Sequence, residues 1–346
     1  MEVAFILEKL ILVVIVFTIT LVIAMYSTLA ERKIAGFMQD RHGPDRAGIF
    51  GILQPLCDGG KFFFKEEIIP AGAHKSLFIL GPVIAIITAC ISSAVIPWGQ
   101  NLVIDGRSIP LQVADVNIGV LYIFGVIALG VYGIMLGGWA SNNKFSLMGA
   151  IRAASQSISY EIGMGLSLIA LLMVTGSLQL GEIVAQQSGF VNWNIFVQPL
   201  GFLIFITCAF AECNRVPFDL PECETELVGG YHTEYSSMKL GLYMFSEYIN
   251  MFVSSALMAT LYFGGYNFPF MYDLGLSENW ITIIGVLVFF LKIFGFIFFF
   301  MWIRWTLPRF RYDQLMNLGW KILIPLAIAN IVLTGIITLI KDTYFQ

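Results

Sequence analysis

Ile281-Thr-Ile-Ile-Gly-Val-Leu-Val-Phe-Phe-Leu-Lys292-Ile-Phe-Gly-Phe-Ile-Phe-Phe-Phe-Met-Trp-Ile303 is a run of 23 residues with a single charged side chain, Lys292. As a helix it reaches about 35 Å, enough to cross the roughly 30 Å of hydrocarbon in a bilayer. A barrel strand would alternate apolar and polar residues with period two, and this run does not. Outward from it, similar stretches recur along the chain. With this one they make eight, near residues 4–30, 77–97, 118–137, 155–175, 196–211, 240–262, 281–303 and 322–340. The chain is 58% hydrophobic and only 12% charged, with a mean hydropathy of +0.82. About a quarter of a soluble domain is charged, so a soluble fold is excluded. The expected fold is all-α: one polytopic integral membrane domain over residues 1–346, with about eight transmembrane helices and large structured cytoplasmic loops. The first stretch has no basic leader and no clear small-residue cleavage site, so it is expected to stay as a helix.

The basic residues orient this frame. Loops 31–76, 138–152, 212–239 and the stretch 302–321 hold 15 of the 19 Lys and Arg residues, while the opposite side holds Lys9, Arg107 and Lys341. By the positive-inside rule these four regions face the cytoplasm and both termini face outward, as expected for a multi-pass protein of a bacterial inner membrane. A net charge of −4 argues against a nucleic-acid partner. The five cysteines, Cys57, Cys90, Cys208, Cys213 and Cys223, form no CxxC pair and have no cluster or zinc spacing. Any electrons the protein handles are expected to come from a partner. In the first cytoplasmic region, Gly36-Phe37-Met38, Ile49 to Leu53 and Phe62-Phe63-Phe64 interleave apolar residues with charges, a pattern suited to short helices on the membrane surface or against a partner.

The carboxylates carry the chemistry. Glu161 is expected a turn or two inside the fourth span and Glu247 similarly inside the sixth. A charged carboxylate at mid-bilayer costs about 2.5 to 3.5 kcal/mol even on lenient scales, so such groups face a bundle interior or a wet cavity. The bland alternative is that nearby Ser, Tyr or Gln groups hydrogen-bond them and they only lock helix packing. Lys292 is too deep to snorkel; it suits a proton relay, or equally a structural ion pair. The segment from Glu212 to Glu226 holds Glu212, Asp219, Glu222, Glu224 and Glu226 with Arg215 as its only arginine. Asp219 and Glu222 have the spacing of a capping box, and acids are favoured in a first helical turn. That explains two of the five. Glu222 and Glu226 would repel at i, i+4, and coupled titrations of this kind are useful for passing protons. In the first loop, Glu31-Arg32-Lys33, Arg41-His42-Gly43-Pro44, Asp58-Gly59-Gly60-Lys61 and Lys65-Glu66-Glu67 mix charges beside aromatic residues, which suits a pocket for a polar head on an apolar tail. Singly, each basic residue is equally a topology determinant.

Six motifs in order extend this reading: Glu31-Arg-Lys-x-x-Gly36 with Arg41-x-Gly-Pro44; Asp58-Gly-x-Lys61 with Lys65-Glu66; Arg152-x3-Gln156-x-Ile-Ser-Tyr-Glu161; the Glu212 to Glu226 loop; Glu234-Tyr-Ser with Lys239; and Pro308-Arg-Phe-Arg-Tyr-Asp-Gln-Leu315. Together, over residues 4–340, they closely resemble the H-subunit family of proton-pumping NADH:quinone oxidoreductases, respiratory complex I. The resemblance implies a membrane-arm component at the junction with the peripheral arm, working with other membrane-arm and peripheral-arm subunits. Quinone, either ubiquinone or menaquinone, would be the substrate, and FMN and iron–sulfur clusters would belong to partners. It also implies that Arg32, Arg41, Asp58, Lys61, Glu66, Arg215 and Asp219 border a quinone chamber. Glu161, Glu212, Glu222, Glu224, Glu226, Glu247 and Lys292 would serve a proton path from that chamber into the membrane. Cys213, Gly60 and Ser237 depart from the family pattern without removing a carboxylate. Two rival readings are the equivalent component of a membrane-bound hydrogenase or ferredoxin-linked complex, and a stand-alone proton or cation antiporter.

Overall fold

The computed structural model describes residues 2–104, 106–189, 191–221, 227–269, 271, 275 and 277–344. Helices stand at all eight stretches expected to span. Six of them are long and apolar enough to cross a membrane: α1 (Glu2–Met38), α3 (Lys75–Ser92, extended by a 3-10 turn to Val95), α4 (Gly119–Ala140), α5 (Lys144–Thr175), α10 (Glu278–Thr306), and α12 (Ile324–Tyr344) together with the helix and π turn before it. Between them lie α2 (Gln54–Phe64), α6 (Leu180–Gln186), α7 (Asn194–Val197), α8 (Pro199–Glu212), α9 (Ser237–Tyr262) and α11 (Tyr312–Asn317).

The other two spans differ from expectation for physical reasons. α8 has 14 residues, about 21 Å of helix, well short of a hydrocarbon core. α9 has 26 residues but carries Lys239, Glu247 and several hydroxyls. It tolerates them because α1, α2, α3 and α10 pack around it, and a helix enclosed by protein need not show lipid an apolar surface. Every residue from Met251 to Tyr262 is buried.

Close backbone approach sets the packing of α3 against α4. A side chain at Gly133 would lie 2.8 Å from the Gly81 carbonyl oxygen, so only small residues allow this crossing. Tyr243 of α9 closes the junction, its Oη donating to the Gly133 carbonyl at 2.9 Å. An antiparallel hairpin, β1 (Asn101–Ile104) with β2 (Arg107–Pro110), stands in the region between α3 and α4. The hydropathy pattern gave no hint of it.

α2 fulfils the expectation of a surface helix. Pro55 occupies its first turn, where a missing N–H costs nothing, and Leu56, Phe63 and Phe64 remain exposed. Gly36-Phe37-Met38, by contrast, continues α1. That helix is about 55 Å long, so Glu31 and Arg32 lie in its final turns rather than in a loop.

Candidate functional site

The segment after α8, expected to be a charged cytoplasmic loop, is folded into the protein. Arg215, Phe218, Asp219 and Leu220 are each no more than 4% exposed. Irregular backbone survives at such depth only when its polar groups are met internally. Gln156 of α5, fully buried, supplies much of this: its Nε2 donates to the carbonyls of Ala211 at 2.8 Å and Phe218 at 2.6 Å, and lies 3.3 Å from Asn214 Oδ1. Asp219 accepts from Arg309 at 2.7 Å, and the Phe310 amide donates to the Pro217 carbonyl.

Arg215 completes a buried ionic knot. Its Nη1 donates to Glu31 Oε2 at 2.9 Å, Tyr248 Oη donates to the same oxygen at 2.9 Å, and Arg304 binds Glu31 Oε1. The guanidinium also lies 4.2 Å from the centre of the Tyr248 ring, a cation–π contact. Burial opposes the Arg215 charge, but the Glu31 carboxylate outweighs it and holds the pKa above the ordinary arginine range. Buried charges persist only with partners of this kind.

Two cavities flank the knot. The first, about 370 Å³, lies between α1, α2 and α9 and is almost wholly apolar, with Leu21, Met25, Phe62 and Phe245 among its walls and Asp58, Thr28 and Tyr248 as its polar points. Asp58 is held by Arg32 at 2.7 Å and Lys61 at 3.6 Å. The second, about 30 Å³, brings together Glu212, Glu247, Ser157, Asn214, Asn250 and Tyr231. That is room for roughly one or two waters among groups able to hydrogen-bond them. Tyr231 Oη donates to Glu247 at 3.2 Å. Glu161, half-buried on α5, is an electrostatic neighbour of Glu212. Glu247 in turn feels the Arg215 charge. Cys213, an electrostatic neighbour of both cavity acids, donates its thiol to Ser254 at 3.4 Å; burial pushes that thiol up to about 12.

The residues expected from sequence divide accordingly. Arg32, Asp58 and Lys61 meet beside the apolar cavity, Arg215 stands in the knot, and Glu161, Glu212 and Glu247 form a string. Asp219 serves the loop through Arg309. Arg41 is exposed and donates to Gln39 at 2.7 Å, and Glu66 is exposed beyond α2. Lys292 meets no carboxylate among the described residues: its Nζ donates to the carbonyls of Phe263, Gly265 and Asn267 at 2.6 to 2.8 Å and lies 4.7 Å from the Trp193 ring. Of the two alternatives, relay or ion pair, no ion-pair partner is found among the described residues. Glu222, Glu224 and Glu226 lie outside the described residues. Sequence reasoning missed Tyr248, Arg304 and Gln156 as site residues and named Glu31 only among the mixed charges of the first loop. Glu31 and Arg304 were hidden among topology-setting charges, and the one available signal for Tyr248 was its place beside Glu247.

A model of the NADH dehydrogenase family matches residues 10–335. The NADH-quinone oxidoreductase H-subunit 1 of Cytophaga hutchinsonii is 70% identical over 333 residues, 96% of this chain and 97% of that protein. The corresponding H-subunit of Flavobacterium psychrophilum is 64% identical over 342 residues, 98% and 99% of the two chains. The H-subunit 1 of Geobacter metallireducens is 49% identical over 329 residues, 95% and 96%.

Proposed function

We propose, on the premise that this chain belongs to the NADH dehydrogenase family as a homologue of the NADH-quinone oxidoreductase H-subunits, that it forms the quinone chamber of such a complex and couples quinone reduction to proton translocation. The observation that carries this reading is the apolar cavity whose few polar points, Asp58 and Tyr248 among them, adjoin the ionic knot. An amphiphile with an apolar tail and a polar head fits such a lining: the tail gains by leaving water, and the head finds partners among the few polar points.

The cluster-incompatible spacing of the five cysteines supports a reading in which electrons are delivered by iron–sulfur and flavin centres of partner subunits. What this chain contributes is response to charge. Charge added at the head acts on Arg215 and Glu31, and through Arg215 on Glu247. A unit charge about 10 Å away, at an effective dielectric of about 20, changes a neighbour by about 1.7 kcal/mol, more than one pH unit of proton affinity. Glu247 and Glu212 share a water-sized cavity, and Glu161 continues the string within α5. Glu222, Glu224 and Glu226 are proposed members of the same route. Lys292, bound to three carbonyls, is assigned to holding the turn after α9.

The distribution of basic residues supports a chamber on the cytoplasmic side of an inner membrane, with both termini outward. Peripheral-arm and membrane-arm subunits are the proposed partners, and ubiquinone and menaquinone remain equal as substrates. Filling the cavity with Leu242→Trp tests the assignment. The assembled complex should keep NADH oxidation by a hydrophilic acceptor and lose quinone reduction. Undiminished quinone reduction would overturn it.

A further inference from the structure

α1 carries no charge between Lys9 and Glu31. That uncharged stretch reaches about 32 Å as helix, the thickness of a bilayer's hydrocarbon, so Lys9 marks one edge of it. Beneath Lys9 an open groove of about 270 Å³ runs between α1 and α3, walled by Val13, Val16 and Phe17 on one side and by Ile87 and Ile91 on the other. Val113 lines it near Lys9, whose ammonium donates to the adjoining Gln112 carbonyl at 2.9 Å. Lys9, Val13, Val16 and Phe17 share one helical face, at i, i+4, i+7 and i+8. Glu8 is turned about 100° round the helix from Lys9. We infer that this groove holds one acyl chain of an anionic phospholipid whose phosphate binds Lys9, in the leaflet on the side of the chain's termini. The inference is independent of the quinone chamber.

Shape and charge together select this occupant. Val13, Phe17, Ile87 and Ile91 are each 43% to 48% exposed, so the chain itself leaves the walls open. The groove's one hydroxyl, Ser93, is turned back onto the Cys90 carbonyl at 2.7 Å, which leaves the lining apolar. From Lys9 to Phe17 is about 12 Å along the helix axis, within the roughly 15 Å depth of one leaflet. The volume spread over that length leaves a slot about 5 Å wide, close to the girth of one hydrocarbon chain and half that of a helix. Lipid tails are as apolar as the groove, so filling it contributes packing but no selectivity. Selectivity has to come from Lys9, which offers phosphate a compact positive charge. Arg107 and Lys341 are the only other basic residues read on that side of the membrane, so the charge is local to the mouth of the groove.

The test uses the assembled complex in phosphatidylcholine vesicles doped with phosphatidylglycerol that carries a diazirine halfway along one acyl chain. After irradiation, mass spectrometry of peptides should find label concentrated between Val13 and Phe17 and between Ile87 and Ile91. Unlabelled phosphatidylglycerol should compete it away, and phosphatidylcholine of the same chains should compete far less. Lys9→Gln keeps a donor for the Gln112 carbonyl and removes the charge; it should lower this labelling about tenfold, the scale of one charge-assisted hydrogen bond, with acceptor-linked NADH oxidation unchanged. Val13→Trp fills the groove from an exposed position and leaves Lys9 in place, so it should abolish the groove label even if Lys9→Gln assembles poorly. Label on the groove no denser than on Leu287 and Leu291, exposed on α10, would be an ordinary lipid shell and would overturn the inference. So would equal competition by phosphatidylcholine, native labelling in Lys9→Gln or Val13→Trp, or a groove free of label because a helix of a partner subunit covers it.

Discussion

Glu212 and Glu247 line the same narrow cavity, Glu212 from the last residue of α8 and Glu247 from within α9. The cavity exists because α8 stops short and the chain after it turns inward beneath α5 and α9. The two carboxylates thus reach one water-sized space. That pairing depends on the buried loop, so several expectations concern what holds the loop in position.

Gln156→Leu keeps side-chain size but leaves the Ala211 and Phe218 carbonyls without their donor. Each buried acceptor stranded in this way costs about 1 to 3 kcal/mol. The variant should lower the thermal midpoint of the purified complex and its yield. An unchanged midpoint would mean that other groups satisfy the loop.

Arg215→Met strands Glu31 with Arg304 and Tyr248 alone. Breaking a buried pair costs about 3 to 5 kcal/mol, so most of the protein should be missing from assembled complex on a native gel. Adding Glu31→Gln should recover part of it. Because the Arg215 pKa is raised in the fold, its contribution is complete below the ordinary arginine range and is lost only as pH climbs past it. Complex stability between about pH 6 and 10 should therefore owe no slope to Arg215.

Lys292→Met removes the donor for three carbonyls and should destabilise the turn after α9 by about 2 to 5 kcal/mol. In the fraction that assembles, protons moved per electron should match the unsubstituted complex. A lower ratio there would return Lys292 to the proton route.

Cys213 should resist thiol reagents. With its thiol pushed up to about 12, about one molecule in ten thousand is thiolate at pH 8. Maleimide should label the exposed Cys57 of the detergent-purified chain and spare Cys213, as read by mass spectrometry of peptides.

Much of the helical frame was legible because bilayer thickness and hydropathy act residue by residue: each of the eight apolar stretches is a helix. What hydropathy could not supply was which helices are enclosed. α9 breaks the apolar rule because its neighbours shield it, and α8 ends early because Gln156 and Arg309 hold the chain that follows. The pairings of Arg32 with Asp58 and of Arg309 with Asp219 were each visible only as charges in a loop. Glu31 and Arg215 are 184 positions apart, and no local pattern links them. Lys292 was recognisable as unusual, but its three carbonyl partners depend on how the chain turns after α9.

Glu212→Gln tests the coupling most directly. It preserves side-chain shape and removes the titrating group at the junction of loop and span. In vesicles carrying the assembled complex, simultaneous measurement of quinone reduction and proton uptake should give fewer protons per electron, with acceptor-linked NADH oxidation intact. A native proton-to-electron ratio at native quinone turnover would contradict the proposed route.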